Sequence, residues 1–252
     1  MIELTDFAGC PPLDDVPVFT GFARAVLARL IGGRVWRRDG AAHALHGYGM
    51  SLVWGGGVGQ AFPALIAHLN AGTYRDKDEW LQIDPRWGHL DWEGQLRAER
   101  FDRVNFRFDR AAFAARYRAS RPAAGWRIAD LRENAFNLCG VHVSPHAFWK
   151  DYRALVAHGG GVVAEIGGEV GALAFAATRF DDWLEIGIET REAYRGQGLA
   201  RAVAVAMIQK CLNDGLTPVW ACRKQNTGSL RLAQSLGFVV TKELPFWRLV
   251  AH

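Results

Sequence analysis

The feature that most constrains the fold of this chain is a strand-like segment that passes through a glycine-bearing loop into a long helix. The strand pattern EIGIET covers residues 185–190, and after REAY the loop RGQGLA covers residues 195–200. The helix predicted at 197–213 is apolar almost all round, as is typical of a helix packed on a sheet. Backbone N–H groups at the start of such a helix are unpaired, and the helix dipole adds partial positive charge there. The segment therefore predicts a binding site for an anion such as a pyrophosphate.

Two better-known phosphate loops do not fit this segment. The Walker pattern needs Gly-Lys-Ser/Thr at the entry to the helix, and here Gly198 is followed by Leu199. The dinucleotide fingerprint needs a further glycine and an acidic residue at the end of a second parallel strand. The strand predicted after the helix, at 218–222, contains no acidic residue. The segment indicates a different anion site, in which Gly196 and Gly198 let the backbone approach the ligand and Arg195 adds charge.

The elements around this segment follow one another in a regular order. The predicted strands in the second half of the chain lie at 162–166, 170–177, 183–190, 218–222, 238–241 and 244–250. Gly167 and Gly168 favour a tight hairpin between the first two strands, because both positions tolerate positive φ. A second helix is predicted to begin at Asn226 or Thr227 and to end at Gly237. Strands and helices in this order predict an α/β fold built on a mixed sheet.

This order, together with RGQGLA at 195–200 and LGF at 236–238, resembles the GCN5-related N-acetyltransferase (GNAT) fold over residues 159–252. Three runs, EIGIET…YRGQGLA, CLNDGLTPVW and NxxSxxLAxxLGF, are more narrowly similar to the zwittermicin-A-resistance-type acetyltransferases of that superfamily. Chains of that subfamily are of similar length and carry an N-terminal half ahead of the GNAT core. The resemblance implies an α/β (α+β mixed sheet) fold, with a GNAT domain at 136–252 and an N-terminal α/β half at 1–135.

The resemblance also implies acetyl-CoA (coenzyme A) as co-substrate and indicates the residues that hold it. The end of the strand would part from its neighbour at 218–222 and bind the pantetheine arm through free backbone groups. The loop would hold the pyrophosphate, and Asn226 and Ser229 match the family's second cofactor region, near the pantetheine and the thioester. The implied cofactor-binding residues are Ile188, Glu189, Thr190, Arg195, Gly196, Gln197, Gly198, Leu199, Ala200, Asn226 and Ser229.

The sequence departs from the family at the general acid. Many GNAT enzymes carry a tyrosine four residues before the Gly-Phe pair, thought to protonate the leaving thiolate, and this chain has Ala233 there. Because a thiol pKa is only about 8.5, the thiolate is already a tolerable leaving group near neutral pH. General acid help typically gives about 10²–10⁴-fold, and we expect the low end here, with Ser229 or a water in the role.

The general base is expected to be a carboxylate on the central strand. An amine arrives mostly as an ammonium and must lose a proton before it attacks. Glu185 and Glu189 are four residues apart, so both point to one face of a regular strand. Glu185 is the first choice because it lies further from the pyrophosphate loop, and the alternative for each is a structural hydrogen-bond acceptor.

The function predicted is N-acetylation of a primary amine on a small molecule, by direct attack in a ternary complex. No Cys or Ser is placed as an obvious covalent nucleophile, which favours the direct route over an acyl-enzyme. Two alternatives remain open. One is a catalytically weak acyl-CoA-binding sensor or scaffold, and the other is a protein acetyltransferase acting on Nα or lysine amines.

The N-terminal half carries a fainter version of the same order, with strand-like runs, a glycine loop, a helix and a further strand. Its loop GGGVGQ at 55–60 has neither a lysine nor the arginine of the later loop, so a structural turn is the better interpretation. We hypothesise a degenerate GNAT-like half that shapes the acceptor pocket. Between the halves, 109–135 is interpreted as a helix plus connector. Ser144 and Pro145 are interpreted as the start of a helix ending at His158.

Composition argues against several other classes of protein. The net charge of +4 is small for 252 residues, and it suits an anionic ligand without calling for nucleic acid. The four cysteines form no C-x-x-C pair, and Pro145 denies His142 and His146 the helical spacing of a metal site, so no metal is expected. The start, MIELTDFAGCPPLDD, lacks the features of a signal peptide, and every apolar stretch is too short to span a membrane. A cytoplasmic protein with no membrane partner is therefore expected.

Overall fold

The computed structural model describes residues 1–116, 124–138 and 140–251. It contains two compact units, each made of more than one stretch of chain. The first unit comprises Met1–Asn105, Ala221–Asn226 and Lys242–His252, and the second comprises Phe106–Trp220 and Thr227–Thr241. This division differs from the expected boundary between residues 135 and 136, because two late segments belong to the first unit.

The strands and helices confirm the expected α/β class with mixed sheets. The strands are β1 (Ile2–Glu3), β2 (Gly33–Arg38), β3 (Ala41–His46), β4 (Met50–Trp54), β5 (Glu79–Ile83), β6 (Glu99–Phe108), β7 (Arg127–Asp130), β8 (Gly161–Ile166), β9 (Glu169–Phe180), β10 (Trp183–Thr190), β11 (Thr217–Val219), β12 (Ala221–Arg223) and β13 (Phe238–Leu249). The helices are α1 (Gly21–Leu27), α2 (Val58–Ala71), α3 (Trp92–Gln95), α4 (Arg110–Arg116), α5 (Glu133–Phe136), α6 (Tyr152–Ala157), α7 (Leu199–Asn213) and α8 (Thr227–Ser235). Short 3₁₀ turns lie at Pro85–Trp87, Pro145–Ala147 and Glu192–Tyr194.

The first unit is built on a sheet with the strand order β1-β2-β3-β4-β5-β13-β6-β12. Strands β2, β3 and β4 form an antiparallel meander, and β5 pairs parallel to β4 after the chain has passed through α2. Buried side chains of α2 and the strands form one cluster that includes Val53, Leu65, Leu69, Leu81 and Trp247. Burying one such aliphatic side chain stabilises a fold by roughly 1.5–3 kcal/mol. This cluster therefore holds α2 against the sheet.

The second unit has a five-stranded sheet in the order β11-β10-β9-β8-β7. Strands β8, β9 and β10 form an antiparallel meander, α7 follows, and β11 returns parallel to β10. The predicted hairpin is confirmed, since Gly167 and Gly168 have φ of 56° and 87° in the turn between β8 and β9. The long helix predicted at 197–213 is also confirmed, although it begins at Leu199.

Two predictions before β8 are wrong. The stretch 109–135 is not simply a helix and a connector, because β7 within it pairs with β8, with Ile128 opposite Ala164. Residues 117–123 of that stretch lie outside the described residues. The helix expected from Ser144 is only a 3₁₀ turn, and α6 begins after Asp151, whose carboxylate accepts the Ala154 N–H at 2.7 Å. The aspartate provides the N-cap that Ser144 was expected to provide.

Predictions for the last part of the chain are wrong in two further details. The single strand expected at 218–222 is divided into β11 and β12, on either side of Trp220. The two strands expected after Gly237 are one continuous strand, β13. Its end pairs with β5 in the first unit, where Trp247 lies opposite Leu81. Pairing with a partner about 166 residues away in the chain is not visible in a local pattern.

The two units repeat one order of elements. In the first unit β2, β3 and β4 lead through a glycine loop into α2 and then into β5, which is parallel to β4. In the second unit β8, β9 and β10 lead through a glycine loop into α7 and then into β11, which is parallel to β10. The repeat supports the hypothesis of a GNAT-like first half.

Candidate active site

The glycine loop before α7 leaves the start of that helix open. Gly196 and Gly198 have φ of 79° and 76°, a region that side chains other than glycine rarely adopt. A Cβ added at either position would meet no atom within 4 Å, and residues 195–198 are all exposed. The helical hydrogen bond to Gly198 C=O comes from Ala202 N–H, so the N–H groups between them precede the helical ladder. This arrangement suits an anion.

Arg195 is held beside this loop by the end of β10. Its Nε donates to Thr190 O at 3.3 Å, and its Nη2 lies 3.6 Å from Glu189 Oε1. The guanidinium is still 57% exposed, so it can also face a ligand. Thr190 Oγ1 is a buried atom with no hydrogen-bond partner among the described residues. An orphaned hydroxyl beside an open helix start fits the expected pyrophosphate and pantetheine groups, which can bond to it.

The parallel pairing of β10 with β11 ends at Glu185, before the part of β10 that is expected to bind the cofactor. The paired residues are Trp183 with Thr217, Leu184 with Pro218 and Glu185 with Val219. Residues 188–190 lie beyond the last of these pairs and keep only their antiparallel partners on β9. The next strand, β12, belongs to the sheet of the first unit. This register agrees with the expected parting of the two strands.

The two candidate carboxylates share one face of β10 but differ in their partners. Glu185 lies opposite Thr178 and Glu189 opposite Leu173, and the one irregularity between them adds a residue to β9, not to β10. Glu185 is half-buried, and the Thr178 hydroxyl lies 3.5 Å from its Oε2. Glu189 Oε1 lies 3.6 Å from Arg195 Nη2 and accepts a hydrogen bond from Thr190 N–H at 3.2 Å. Glu189 is thus tied to the loop before α7, whereas Glu185 lies four residues farther from that loop on the same face of β10.

The residues expected at the second cofactor region are divided between the units. Asn226 is the last residue of the segment Ala221–Asn226 in the first unit, and its N–H donates to Arg223 O at 2.9 Å. Ser229 lies in α8 of the second unit, and its Oγ accepts a hydrogen bond from Trp220 Nε1 at 3.0 Å. Ala233, four residues later, is fully buried and lies on the same helix face as Ser229.

The remaining loop residues can serve a ligand mainly through their backbone. Leu199 is 1% exposed, and its side chain packs near Gly171, so only its N–H is available to an anion. Gln197 is exposed, while Ile188 and Ala200 are half-buried. The family resemblance implied these residues, and the structure brings 188–190 and 195–200 together at one end of β10.

The first unit holds a buried polar cluster that sequence reasoning missed. Glu79 is fully buried and accepts hydrogen bonds from His43 Nε2 at 2.8 Å, Ser51 Oγ at 2.6 Å and Tyr74 OH at 2.6 Å, and Arg75 Nη1 lies at 3.2 Å. Burial raises the pKa of Glu79, but His43 and these hydrogen bonds outweigh it and lower the pKa to about 2. The one signal in the sequence was an acidic residue at the start of a buried strand, since its partners come from separate segments.

Beside this cluster, His68 is held neutral. Its Nε2 lies 3.2 Å from His43 Nδ1, and its ring stacks on Tyr74 with centroids 4.4 Å apart. Burial, and then the nearby His43, lower the pKa of His68 to about 3. The cluster is therefore a source of pH-dependent stability in the first unit.

The described part of the chain has neither a candidate metal site nor a candidate membrane-spanning helix. Within residues 1–116, 124–138 and 140–251, no group of three or more His, Cys, Asp and Glu side chains could hold a metal ion. His142 is exposed, and His146 bonds to Ser144. No helix in these ranges is both long and apolar enough to cross a membrane.

Comparisons with known proteins bear on the family and the fold of this chain. A family model described as GNAT acetyltransferase matches residues 21–247. The uncharacterized N-acetyltransferase YdfB of Bacillus subtilis (strain 168) is 44% identical over 59 residues, and the match spans 23% of each chain. That local match covers less than a quarter of the relative's length.

Solved structures are similar over nearly the whole chain. A GCN5-related N-acetyltransferase-like protein from Streptococcus suis 89/1591 has a TM-score of 0.70 at 22% identity, covering 93% of this chain and 95% of that one. A GCN5-related N-acetyltransferase from Kribbella flavida has a TM-score of 0.60 at 16% identity, covering 90% and 91%. Because these identities are below 25%, the structural similarity is evidence for a shared fold.

The family match is wider than the expected resemblance over residues 159–252, since it begins at residue 21 and includes most of the first unit. It confirms the predicted enzyme class, an acyltransferase, and acetyl-CoA as the donor that GNAT enzymes use. This chain belongs to the GNAT acetyltransferase family.

Proposed function

We propose that this chain is an N-acetyltransferase that moves an acetyl group from acetyl-CoA to a primary amine of a small molecule, by direct attack in a ternary complex. The observation that carries the proposal is the open start of α7, where Gly196 and Gly198 adopt positive φ with empty space around them. Arg195 stands beside this opening. Together they suit the pyrophosphate of coenzyme A.

The donor is held by backbone groups and by few side chains. The N–H groups at the start of α7 and the guanidinium of Arg195 would bind the pyrophosphate. Residues 188–190, which lie beyond the last parallel pair with β11, would bind the pantetheine arm, and Thr190 Oγ1 would supply a further hydrogen bond. Bound there, acetyl-CoA supplies a thioester carbonyl as the electrophile.

Glu185 is the proposed general base. A free alkylammonium has a pKa near that of lysine, about 10.4, so only a small fraction of the acceptor is nucleophilic at neutral pH. Glu185 is half-buried on β10, next to the point where β10 and β11 stop pairing. A carboxylate in that position can take a proton directly or through a water.

Ser229 is the proposed source of a proton for the leaving sulfur. It lies one helical turn before Ala233, on the same face of α8. Trp220 Nε1 donates to its Oγ at 3.0 Å, which fixes the position of the hydroxyl oxygen. Because the thiol pKa is only about 8.5, the benefit is expected to be modest.

The acceptor class rests on the resemblance to zwittermicin-A-resistance-type acetyltransferases, which points to antibiotic-like or other amino-bearing metabolites. The cytoplasm is proposed as the location. Cys10 and Cys211 are not in disulfides, as is usual in a reducing compartment.

The proposal is tested by measuring thiol release from acetyl-CoA in the presence of a panel of small primary amines. The proposal is supported if one class of amine raises the rate of thiol release above background and one acetylated amine is formed for each thiol released. Tight coenzyme A binding with thiol release at the background rate for every amine would favour the sensor or scaffold. Turnover only with peptide N-termini or lysine side chains would favour a protein acetyltransferase.

A further inference from the structure

A cavity of about 460 Å³ lies in the first unit, at the end of β4 opposite to the glycine loop 55–60. Its walls come from the start of β2, the β3–β4 turn and the loop between α2 and β5. The lining residues are 32–34, 45–47, 49 and 74–77. Cavities of this size are typical of binding sites for small molecules.

Hydrogen bonds between the three wall segments hold the cavity in shape. Gly47 N–H donates to Gly32 O at 3.1 Å, which joins the β3–β4 turn to the start of β2. Arg34 Nη1 donates to Tyr74 O at 2.7 Å, and Lys77 Nζ donates to Gly47 O at 2.8 Å. The cavity is therefore already formed, and a ligand would enter it at little cost in ordering the chain.

Two glycines keep the cavity open. Gly32 and Gly47 do not have the positive φ that favours glycine. A Cβ added to Gly32 would meet no atom within 4 Å, and one added to Gly47 would meet Gly32 O at 3.7 Å, an ordinary contact. Neither backbone conformation nor close packing therefore requires glycine at these positions. Their missing side chains leave room for a ligand.

Two of the four charged side chains in the lining are neutralised by carboxylates that lie outside it. Arg34 donates through Nε and Nη2 to the two carboxylate oxygens of Glu3, at 2.7 and 2.6 Å. Arg75 Nη1 lies 3.2 Å from the buried Glu79 carboxylate. The charge that the cavity presents to a ligand is therefore set mainly by the other two side chains, Asp76 and Lys77.

Asp76 and Lys77 give the cavity one charge of each sign. Both are exposed, and neither has an ion-pair partner within 4.0 Å in the part of the chain that the structure describes. An ammonium carries three N–H donors, so Lys77 can keep its bond to Gly47 O and still donate to a ligand. A ligand with only negative charge would be repelled by Asp76, and one with only positive charge by Lys77. The lining is therefore complementary to a molecule that carries both charges.

We propose that this cavity binds a free amino acid, a small molecule with a carboxylate and an ammonium on one carbon. Its carboxylate would bond to Lys77, its ammonium to the carboxylate of Asp76, and its side chain would lie in the space beside Gly32, Leu45 and Tyr74. The site shares no residue with the proposed donor site. The first unit, whose glycine loop is partly covered, thus has a binding site of its own at the other end of β4.

The first experiment is calorimetric titration of the whole chain, without coenzyme A, with each of the common protein amino acids. At least one should bind with a Kd below about 1 mM. Two analogues of the best ligand, the acid that lacks its ammonium and the amine that lacks its carboxylate, are then titrated. Each should bind at least about tenfold more weakly, because it leaves Asp76 or Lys77 without a partner.

The charged side chains are tested by Lys77→Gln and Asp76→Asn. Each should weaken amino-acid binding about tenfold or more, since each removes a charge-assisted hydrogen bond. Asp76→Asn should also narrow the preference for the amino acid over the acid that lacks its ammonium. Lys242→Gln is the matched control, because Lys242 is an exposed lysine of the same unit that donates to a backbone carbonyl, Pro17 O, outside the cavity.

The space itself is tested by Gly32→Leu, which should abolish binding at an unchanged unfolding temperature. Gly56→Leu is its control, since Gly56 is also exposed, also has open space around it and does not line the cavity. Undiminished binding in Gly32→Leu or in Lys77→Gln would overturn the proposal.

Two further results would also overturn it. One is the absence of binding by every amino acid up to about 10 mM. The other is binding of the acid that lacks the ammonium as tightly as the amino acid itself. Because no acetyl-CoA is present in these titrations, either result leaves the proposed acetyltransferase function standing. An absence of thiol release with every amine would likewise leave the amino-acid site standing.

Discussion

The glycine loops of the two units occupy the same place in a repeated order of elements, yet the first is covered in part by other segments and the second is more open. Each follows the third strand of a meander and leads into a helix, of 14 residues in α2 and 15 in α7. In the first unit Gly57 N–H donates to Gly40 O at 3.2 Å, and Trp87 Nε1 donates to Gly55 O at 2.9 Å. In the second unit a Cβ added to Gly196 or Gly198 would meet no atom of the described residues within 4 Å, chain neighbours apart.

Glycine is required in the two loops for different structural reasons. A Cβ on Gly57 would lie 1.6 Å from Asp39 O, so that residue is needed for close packing of the loop on the β2–β3 turn. Gly196 and Gly198 are needed for their positive φ and for the approach of something outside the protein. A glycine loop before a helix is therefore an anion site only where the surrounding chain leaves it uncovered.

The largest effect that this comparison predicts is on donor binding. Gly198→Val should weaken coenzyme A binding at least about 100-fold, because a β-branched residue strongly disfavours φ near 76° and would obstruct the approach to the helix start. Calorimetric titration at matched folded fraction is the measurement. Gly56→Val is the control, since Gly56 also has open space around it but lies in the first unit's loop. If the Gly198 variant and wild type bind coenzyme A with equal affinity, the pyrophosphate does not bind at the start of α7.

The second prediction contrasts an accessible carboxylate with a buried one. Glu185→Gln should lower kcat/KM for the amine on the order of 10²-fold, since glutamine keeps the shape but cannot take a proton. The Kd of acetyl-CoA should change little, and the deficit should shrink as pH rises. A pH–rate comparison of the two enzymes measures this. Equal rates at neutral pH would pass the role to Glu189 or to water.

Glu79→Gln is the matching change in the first unit. It should leave the Kd of coenzyme A for the folded protein unchanged. It should lower the free energy of unfolding by about 3 kcal/mol, because Arg75 would remain buried without its carboxylate. A denaturant titration measures the loss. Retained stability would mean that the cluster contributes little to the first unit.

The third prediction is that acid destabilises the first unit. The folded pKa of His68, about 3, is below its ordinary value of 6.5, so its contribution is complete above pH 6.5 and is lost as pH falls toward 3. Glu79, with a folded pKa of about 2, adds a loss that begins below pH 4.5. Between pH 7 and 5 His68 alone should cost about 2 kcal/mol.

His68→Phe tests this assignment. The variant removes the titrating group but keeps an aromatic ring against Tyr74, so its stability should depend less on pH between 7 and 5. Thermal unfolding at both pH values gives the comparison. The same pH dependence in variant and wild type would assign the acid sensitivity to other groups.

The smallest expected effect concerns charge at the open loop. Arg195→Ala should weaken coenzyme A binding about tenfold, as expected for loss of one charge-assisted hydrogen bond. The difference from wild type should decrease at high salt, because the guanidinium is more than half exposed. Arg195→Lys should recover part of the loss. If neither variant changes the affinity for coenzyme A, the pyrophosphate is bound by the backbone N–H groups without help from Arg195.

Local patterns in the sequence predicted most of the second unit. The alternation of β10, the paired glycines before β9 and the apolar helix α7 depend on neighbouring residues, and they lie within about two residues of their predicted places. The anion site proposed at the loop was suggested by the same local pattern, while the candidate residues on β10 came from the family resemblance. What the sequence could not supply was the accessibility of each loop, because that depends on groups such as Asp39 and Trp87, which are distant in the chain.

Features formed by distant segments were missed. The Glu79 cluster draws on β3, β4 and the α2–β5 loop, and β7 could not be recognised until its partner β8 was known. The role of Ser144 was also mistaken. Its position before a proline is typical of a helix cap, but its hydroxyl bonds to Phe136 O and His146 instead. In each case a tertiary contact replaced the local preference.

The position of β13 has a consequence for how the chain is made. This strand lies between β5 and β6 in the first unit's sheet, although more than 100 residues separate it from β6 in the chain. The facing edges of β5 and β6 therefore stay unpaired during synthesis until β13 has been made. Such non-local pairing slows folding and exposes intermediates to aggregation. Expression in cells should accordingly depend on chaperones, and a stop codon just before β13 should release an insoluble chain.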